Sequence, residues 1–178
     1  MPAQCAHATI TAVELDPAAA RQAAQNFEAS PWANRLMLTQ QDIRKMEGEG
    51  SYDFIITNPP FYEGSLKSGH AQKDQAMHAT DLSYRELIAA IDRQLSPCGE
   101  VSVLLPYTAF ETFHVLALEN GYHLQQVLYI RQRESGGFFR AVGLFSRMAV
   151  NPVVKELTVY DNGDVYTPAF VELLRPYY

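Results

Sequence analysis

The sequence predicts an α/β fold, a mainly parallel sheet covered by helices. Short β-branched runs alternate with helix-like stretches along the chain, the pattern of strands joined by helical crossovers. One run, YDFIIT at 52–57, is almost continuously apolar, as expected of a strand buried on both faces. At 178 residues, 47% of them hydrophobic, the chain can bury a sizeable core without staples. Residues 1–178 therefore read as a single domain whose last part, 151–178, is a strand–turn–helix tail.

Each element has a local reason. Residues 10–15 (ITAVEL) form a strand ending in acidic residues. Pro17 opens an Ala-rich helix to about residue 29, with Asp16 as its N-cap. Residues 35–39 read as a strand, then comes 52–57, ended by Asn58–Pro59–Pro60 because proline cannot donate to a ladder. Residues 62–80 are a polar loop, long enough to suggest function. Residues 81–95 show the apolar stripe of an amphipathic helix, with Pro97 and Gly99 as its stop. Residues 101–105 are a strand, 109–120 a helix capped by Gly121, and 123–132 and 141–147 a last pair of strands around Gly136–Gly137. In the tail, 153–160 reads as a strand, Asn162–Gly163 as a turn and Thr167–Pro168 as the start of a short helix.

Composition narrows the classes. The spread of aromatic and branched residues argues against disorder. The longest apolar runs fall far short of the ~20 residues of a membrane span, and no signal segment opens the chain. Cys5 and Cys98 alone make neither a disulfide framework nor a zinc site, so no metal and a reducing, cytoplasmic setting are expected. A net charge of −6 does not mark a nucleic-acid binder, but local basic groups suffice for one. Arg131, Arg133 and Arg140 are such a group; on charge alone a solvated turn explains them as well.

The chemistry concentrates at Asn58–Pro59–Pro60–Phe61, after an apolar strand, where open α/β sheets bind ligands. Methyl transfer to a conjugated nitrogen calls for such a group. The planar amine must pyramidalise to attack, and two fixed acceptors on its hydrogens favour that geometry. Asn58 offers a side-chain carbonyl and Pro59 a backbone carbonyl aimed in advance by the proline that follows. Phe61 offers a face for a base. The rival explanation is a rigid turn. Glu14 and Asp16 end the first strand, where a carboxylate can accept ribose hydroxyls. Asp42–Ile43 follows the next strand, where the acid can accept an adenine amino group while its neighbour packs on the ring. Each acid alone is more often a cap or surface charge; their order along successive strand ends is what points to one ligand edge.

The segments VELDP at 13–17, NFEASPWANRL at 26–36, Asp42–Ile43, YDFIITNPPF at 52–61, SLKS at 65–68, His78, the LLP of 104–106 and the tail at 157–178 carry a resemblance. Together they resemble the amino-methylating class I S-adenosylmethionine-dependent methyltransferases. More narrowly, the chain is similar to the bacterial tRNA(Val) adenine-N6 methyltransferase family, which modifies the adenosine 3′ of the anticodon. The resemblance covers nearly the whole chain. It implies a Rossmann-like sheet, parallel with a C-terminal antiparallel hairpin, S-adenosylmethionine as cofactor and tRNA as partner. It places Glu14 and Leu15 at the cofactor ribose, Asp42 and Ile43 at its adenine, and Asn58, Pro59, Pro60 and Phe61 around the target base, Asn58 also bordering the cofactor. Lys67, Arg131, Arg133 and Arg140 are the candidates for RNA contact. Alternatives sharing the Asn-Pro-Pro-Phe chemistry are a ribosomal-RNA guanine-N2 or a protein-glutamine N5 methyltransferase; a non-catalytic truncated remnant is a third.

Two departures from the family pattern shape the expectation. Family members open with a substrate-binding segment, a strand and a Gly-rich loop; the residues before Ile10 contain no glycine. The expected sheet thus lacks its first strand and helix and half of the cofactor pocket, leaving an edge through which copies can associate. Position 77 is Met where the family often has Arg.

Overall fold

The structure is a computed structural model that describes residues 7–48, 50, 52–59, 82–161 and 163–175. It divides into two compact units, Met1–Glu47 with Leu174–Tyr178, and Gly48–Leu173.

In the first unit β1 (Ile10–Glu14) and β2 (Leu36–Gln40) pair in parallel, Ile10 opposite Leu36 and Glu14 opposite Gln40. Helix α1 (Pro17–Glu28) makes the crossover. Its start is as expected: the Asp16 carboxylate accepts the amides of Ala18 and Ala19, and Pro17 sits where no intrahelical donor is needed.

The second unit is a five-stranded sheet in the order β3-β4-β6-β5-β7, comprising β3 (Tyr52–Thr57), β4 (Leu95–Pro106), β5 (His123–Arg131), β6 (Phe138–Ser146) and β7 (Val153–Thr158). β3 and β4 are parallel, β5 and β6 form the expected antiparallel hairpin, and β7 returns parallel to β5. Helices α2 (Tyr84–Gln94) and α3 (Tyr107–Glu119) pack on this sheet, Tyr84 meeting Phe113 edge to face at 5.5 Å. Sixteen buried residues, from Tyr84 to Phe145, make one continuous core. Helix α3 ends in a Schellman turn: Gly121, at φ +77°, donates to Leu118 while Tyr122 donates to Ala117. A short helix α4 (Pro168–Leu174) closes the described tail.

Three expectations need correction. The 52–57 strand is not buried on both faces: Phe54 and Ile56 are 51% and 78% exposed, while Ile55 packs against the core. Among the described residues β3 pairs only with β4, and helices cover only the face that Ile55 shares. Second, Pro97 and Gly99 do not separate helix from strand. β4 begins at Leu95, directly after α2, and carries both residues in an irregular stretch where the pairing jumps from Leu95 to Glu100. A Cβ on Gly99 would meet the Leu95 side chain at 2.7 Å, so the small residue is what lets the strand fold back over it. Third, the helix expected from 81 starts at Tyr84, because Ser83 and Glu86 form a reciprocal capping box. The 62–80 loop and Asn162 lie outside the described residues.

Candidate functional site

Parallel pairing brings Glu14 and Asp42 to the same edge of the small sheet. Glu14 ends β1 opposite Gln40, its carbonyl accepts the amide of Gln41 at 3.0 Å, and Asp42 follows directly. The neighbouring acid, Asp16, is committed to capping α1. Glu14 spends one oxygen, Oε1, on the amide of Asp16 at 2.9 Å. Its Oε2 suits a ribose hydroxyl. Leu15 beside it is exposed, and Ile43 is half-buried at the opening of a 3-10 turn, Ile43–Lys45.

Asp42 is more heavily engaged. Its Oδ1 accepts the backbone amide and Nε of Arg44, each at 2.9 Å, while its Oδ2 accepts Nε at 2.9 Å and Nη2 at 2.8 Å. A carboxylate has about four acceptor positions, and the backbone N–H, the Nε–H shared between both oxygens and the Nη2–H of Arg44 occupy most of them. The same pairing holds the Asp42 carboxyl below its ordinary pKa, the side-chain bond from Arg44 outweighing partial burial. Asp42 therefore keeps roughly one acceptor position for an adenine amino group, and Glu14 keeps Oε2 for a ribose hydroxyl.

In the second unit Thr57, the last residue of β3, lies opposite Val103, and the chain leaves the sheet there with Asn58 exposed and Pro59 buried. A buried Pro59 fixes the backbone from which Asn58 projects. Pro60, Phe61 and Lys67 lie outside the described residues. The three arginines gather at the same carboxyl edge. Arg131 donates to Glu134 at 3.0 Å, Glu156 at 2.9 Å and Thr158 at 3.0 Å, and lies over the Phe138 ring. Arg133 pairs with Asp164 and lies over Tyr160. Arg140 lies over Phe139. Sequence reasoning singled out these arginines but missed the rings beneath them. The signal was the doublet Phe138–Phe139 beside the Gly136–Gly137 loop, which acquires meaning only through strand pairing with β4 and β5.

Among the described residues no group of three or more His, Cys, Asp or Glu is placed to hold a metal ion, and no helix is long and apolar enough to cross a membrane.

Comparison with known proteins places this arrangement. The methyltransferase small domain family matches residues 1–124. A tRNA1(Val) (adenine(37)-N6)-methyltransferase of a Shewanella species is 35% identical over 185 residues, which span 100% of this chain and 78% of that relative. The protein of the same name from Dyadobacter fermentans is 36% identical over 176 residues, 97% of this chain and 73% of the relative. Among solved structures, a predicted O-methyltransferase from Agrobacterium tumefaciens superposes with a TM-score of 0.69 at 13% identity, covering 93% of this chain and 76% of that one. A TehB-like SAM-dependent methyltransferase from Corynebacterium glutamicum gives 0.52 at 18% identity, covering 79% and 68%. These two likenesses concern the fold, which is that of the Rossmann-like class I methyltransferases. By the family match and the identity over essentially its whole length, the chain belongs to the methyltransferase small domain family, in its tRNA1(Val) (adenine(37)-N6)-methyltransferase branch.

Proposed function

We propose that the chain, acting as one methyltransferase domain, methylates the exocyclic N6 of an adenine in tRNA(Val), next to the anticodon, with S-adenosylmethionine as methyl donor. What carries the reading is Asn58 and Pro59 leaving the carboxyl end of β3, the first two residues of an Asn-Pro-Pro-Phe sequence, in a chain whose relatives bear that activity in their names. When bound, S-adenosylmethionine supplies an electrophilic methyl group. Glu14 takes the ribose hydroxyls, with Leu15 beside it, and Asp42 takes the adenine amino group, with Ile43 against the ring. The Asn58 side-chain carbonyl and the Pro59 backbone carbonyl accept the two hydrogens of the target amine. As the nitrogen pyramidalises its hydrogens become more positive, so both bonds strengthen in the transition state. Phe61 supplies a ring for the target base, and Lys67, Arg131, Arg133 and Arg140 are the cations assigned to substrate contact. An adenine in an anticodon loop reaches such a site more easily than one in a duplex, because less stacking is lost. A chain working on tRNA acts in the cytoplasm. Among the described residues β3 is hydrogen-bonded to β4 alone, and such a sheet edge favours association of copies.

The test is methyl incorporation by the purified chain into total tRNA, ribosomes and release factors, followed by nucleoside analysis. N6-methyladenine confined to tRNA(Val) is expected; incorporation only into guanine or protein overturns the substrate assignment. Replacing Asn58 by Ala should lower turnover about 10²–10³-fold, the ~2.7–4 kcal/mol scale of one preorganised hydrogen bond, with cofactor affinity little changed. Near-normal turnover in Asn58→Ala removes the amine-acceptor role.

A further inference from the structure

Strand pairing in the second unit assembles a group of rings at the same sheet edge as Asn58. Pro106 at the end of β4 pairs with Arg140 of β6, and Arg131 at the end of β5 pairs with Phe138. Tyr107, the first residue of α3, thereby meets Tyr129 and Phe138, each at 5.4 Å between ring centres, and those two rings are 5.4 Å from each other. Tyr129 rests in turn on Phe110, whose ring is 6.1 Å away in the core. The triangle is thus held from below, yet Tyr107 remains 42% exposed. The Arg140 guanidinium carbon lies 5.5 Å from the Phe139 ring centre. Large rings fixed by neighbours with one side open to water make a surface for planar ligands at small entropic cost.

Charge narrows the ligand. Two of the nearby guanidinium groups are engaged by the protein's own carboxylates, Arg131 by Glu134 and Glu156, and Arg133 by Asp164. A surface built for phosphates would not neutralise its cations in this way. Stacking on aromatic faces, reinforced by guanidinium, instead suits unpaired nucleobases. Two strand spacings, roughly 10 Å, separate β3 from β6, a distance bridged by neighbouring nucleotides of one strand.

We infer that Tyr107, buttressed by Tyr129 and Phe138, forms a stacking platform for an unpaired base flanking the target adenine. The inference rests on the RNA methylation reading above and extends it from the target base to its neighbour.

The test uses an RNA anticodon stem-loop and versions carrying an abasic nucleotide 5′ or 3′ of the target. Tyr107→Ala should raise KM by about 5- to 150-fold with kcat little changed, the range of one lost base stack. Tyr107→Phe should behave as the parent, since the ring face is what serves. One of the two abasic substrates should impose a similar penalty on the parent and none further on Tyr107→Ala. The Tyr107→Ala penalty should be the same at low and high salt, because it is not an ionic contact. Unchanged KM, or penalties that multiply when variant and abasic site are combined, overturns the platform. If the parent methylates no RNA, the functional reading fails by itself; the platform is then judged by fluorescence anisotropy with the same labelled stem-loops. Loss of binding in Tyr107→Ala for the intact loop alone supports it, and equal binding overturns it.

Discussion

Of the described residues up to Glu47, only Ala20 is fully buried, whereas the segment from Gly48 onward carries sixteen residues in one continuous core. The first segment rests on two strands and a single helix; the second stacks two helices on five strands. Glu14 and Asp42 belong to the thin part, Asn58 and Pro59 to the thick one. The difference teaches that the acids assigned to the cofactor do not owe their placement to a packed core. It comes instead from parallel pairing and local caps, such as the Arg44 clamp on Asp42.

The largest expected effect is in local stability. Amides of β1 and β2 should exchange with solvent at opening free energies several kcal/mol below those of β4 and β6. The single tryptophan, Trp32, lies in the first unit and eight of the ten tyrosines lie in Gly48–Leu173, so the two signals report mainly on different parts. Trp32 emission should shift at lower urea than the tyrosine near-UV signal. Coincident transitions with equal exchange protection break the comparison.

Next comes alkaline pH. The Tyr122 hydroxyl is pushed up to about 12, chiefly by burial, with Asp92 adding to the rise and Arg147 opposing it. An unfolded tyrosine titrates near 10. The folded state therefore holds the proton that the unfolded chain gives up, and stability present below pH 10 falls as pH rises toward 12. The total is about 3 kcal/mol. Urea unfolding followed by tyrosine signals at pH 8 to 12 should show this loss, and Tyr122→Phe should lack it. Parallel losses in both proteins would remove Tyr122 as the cause.

A smaller contrast comes from single substitutions. A Cβ on Gly143 would meet Phe145 at 2.6 Å and Phe110 at 2.7 Å, so Gly143→Ala should cost ~1–3 kcal/mol. Met37→Ala, on an exposed face of β2, should cost no more than about 0.5 kcal/mol. Thermal melts of the two variants decide; equal losses would mean that the first segment packs better than its burial indicates.

Local signals were legible in the sequence and pairing-dependent ones were not. Asp16 followed by Pro17 is a helix start that needs no tertiary information, and the structure has it. Gly121 ends α3 for the same kind of reason. Ser83 and Glu86 have capping-box spacing and went unread, because the apolar stripe of the helix drew the boundary outward. Pro97 and Gly99 suggested a break; only the fold-back over Leu95 turns them into part of a strand. The exposure of Ile56 depends on which face of β3 the helices cover, which no run of six residues encodes. At the site, the order of acids and Asn-Pro-Pro-Phe could be read along the chain. The Asp42–Arg44 clamp and the Tyr107 ring cluster could not, since one needs a 3-10 turn and the other three aligned strands.

The central position of β6 bears on how the chain is made. β6 is hydrogen-bonded to β4 on one side and β5 on the other, so β4, complete at Pro106, waits for a neighbour that ends at Ser146. At ribosomal speeds of about 5–20 residues per second, that wait is roughly 2–8 s. Throughout it, the run Val101–Val103–Leu105 has no antiparallel partner, although all three side chains are buried in the finished fold. A nascent chain with an apolar β-branched edge is prone to wrong pairing with other chains. The short loop between β5 and β6 limits this exposure, because the hairpin closes as soon as its second strand emerges and can then dock on β4 as a unit.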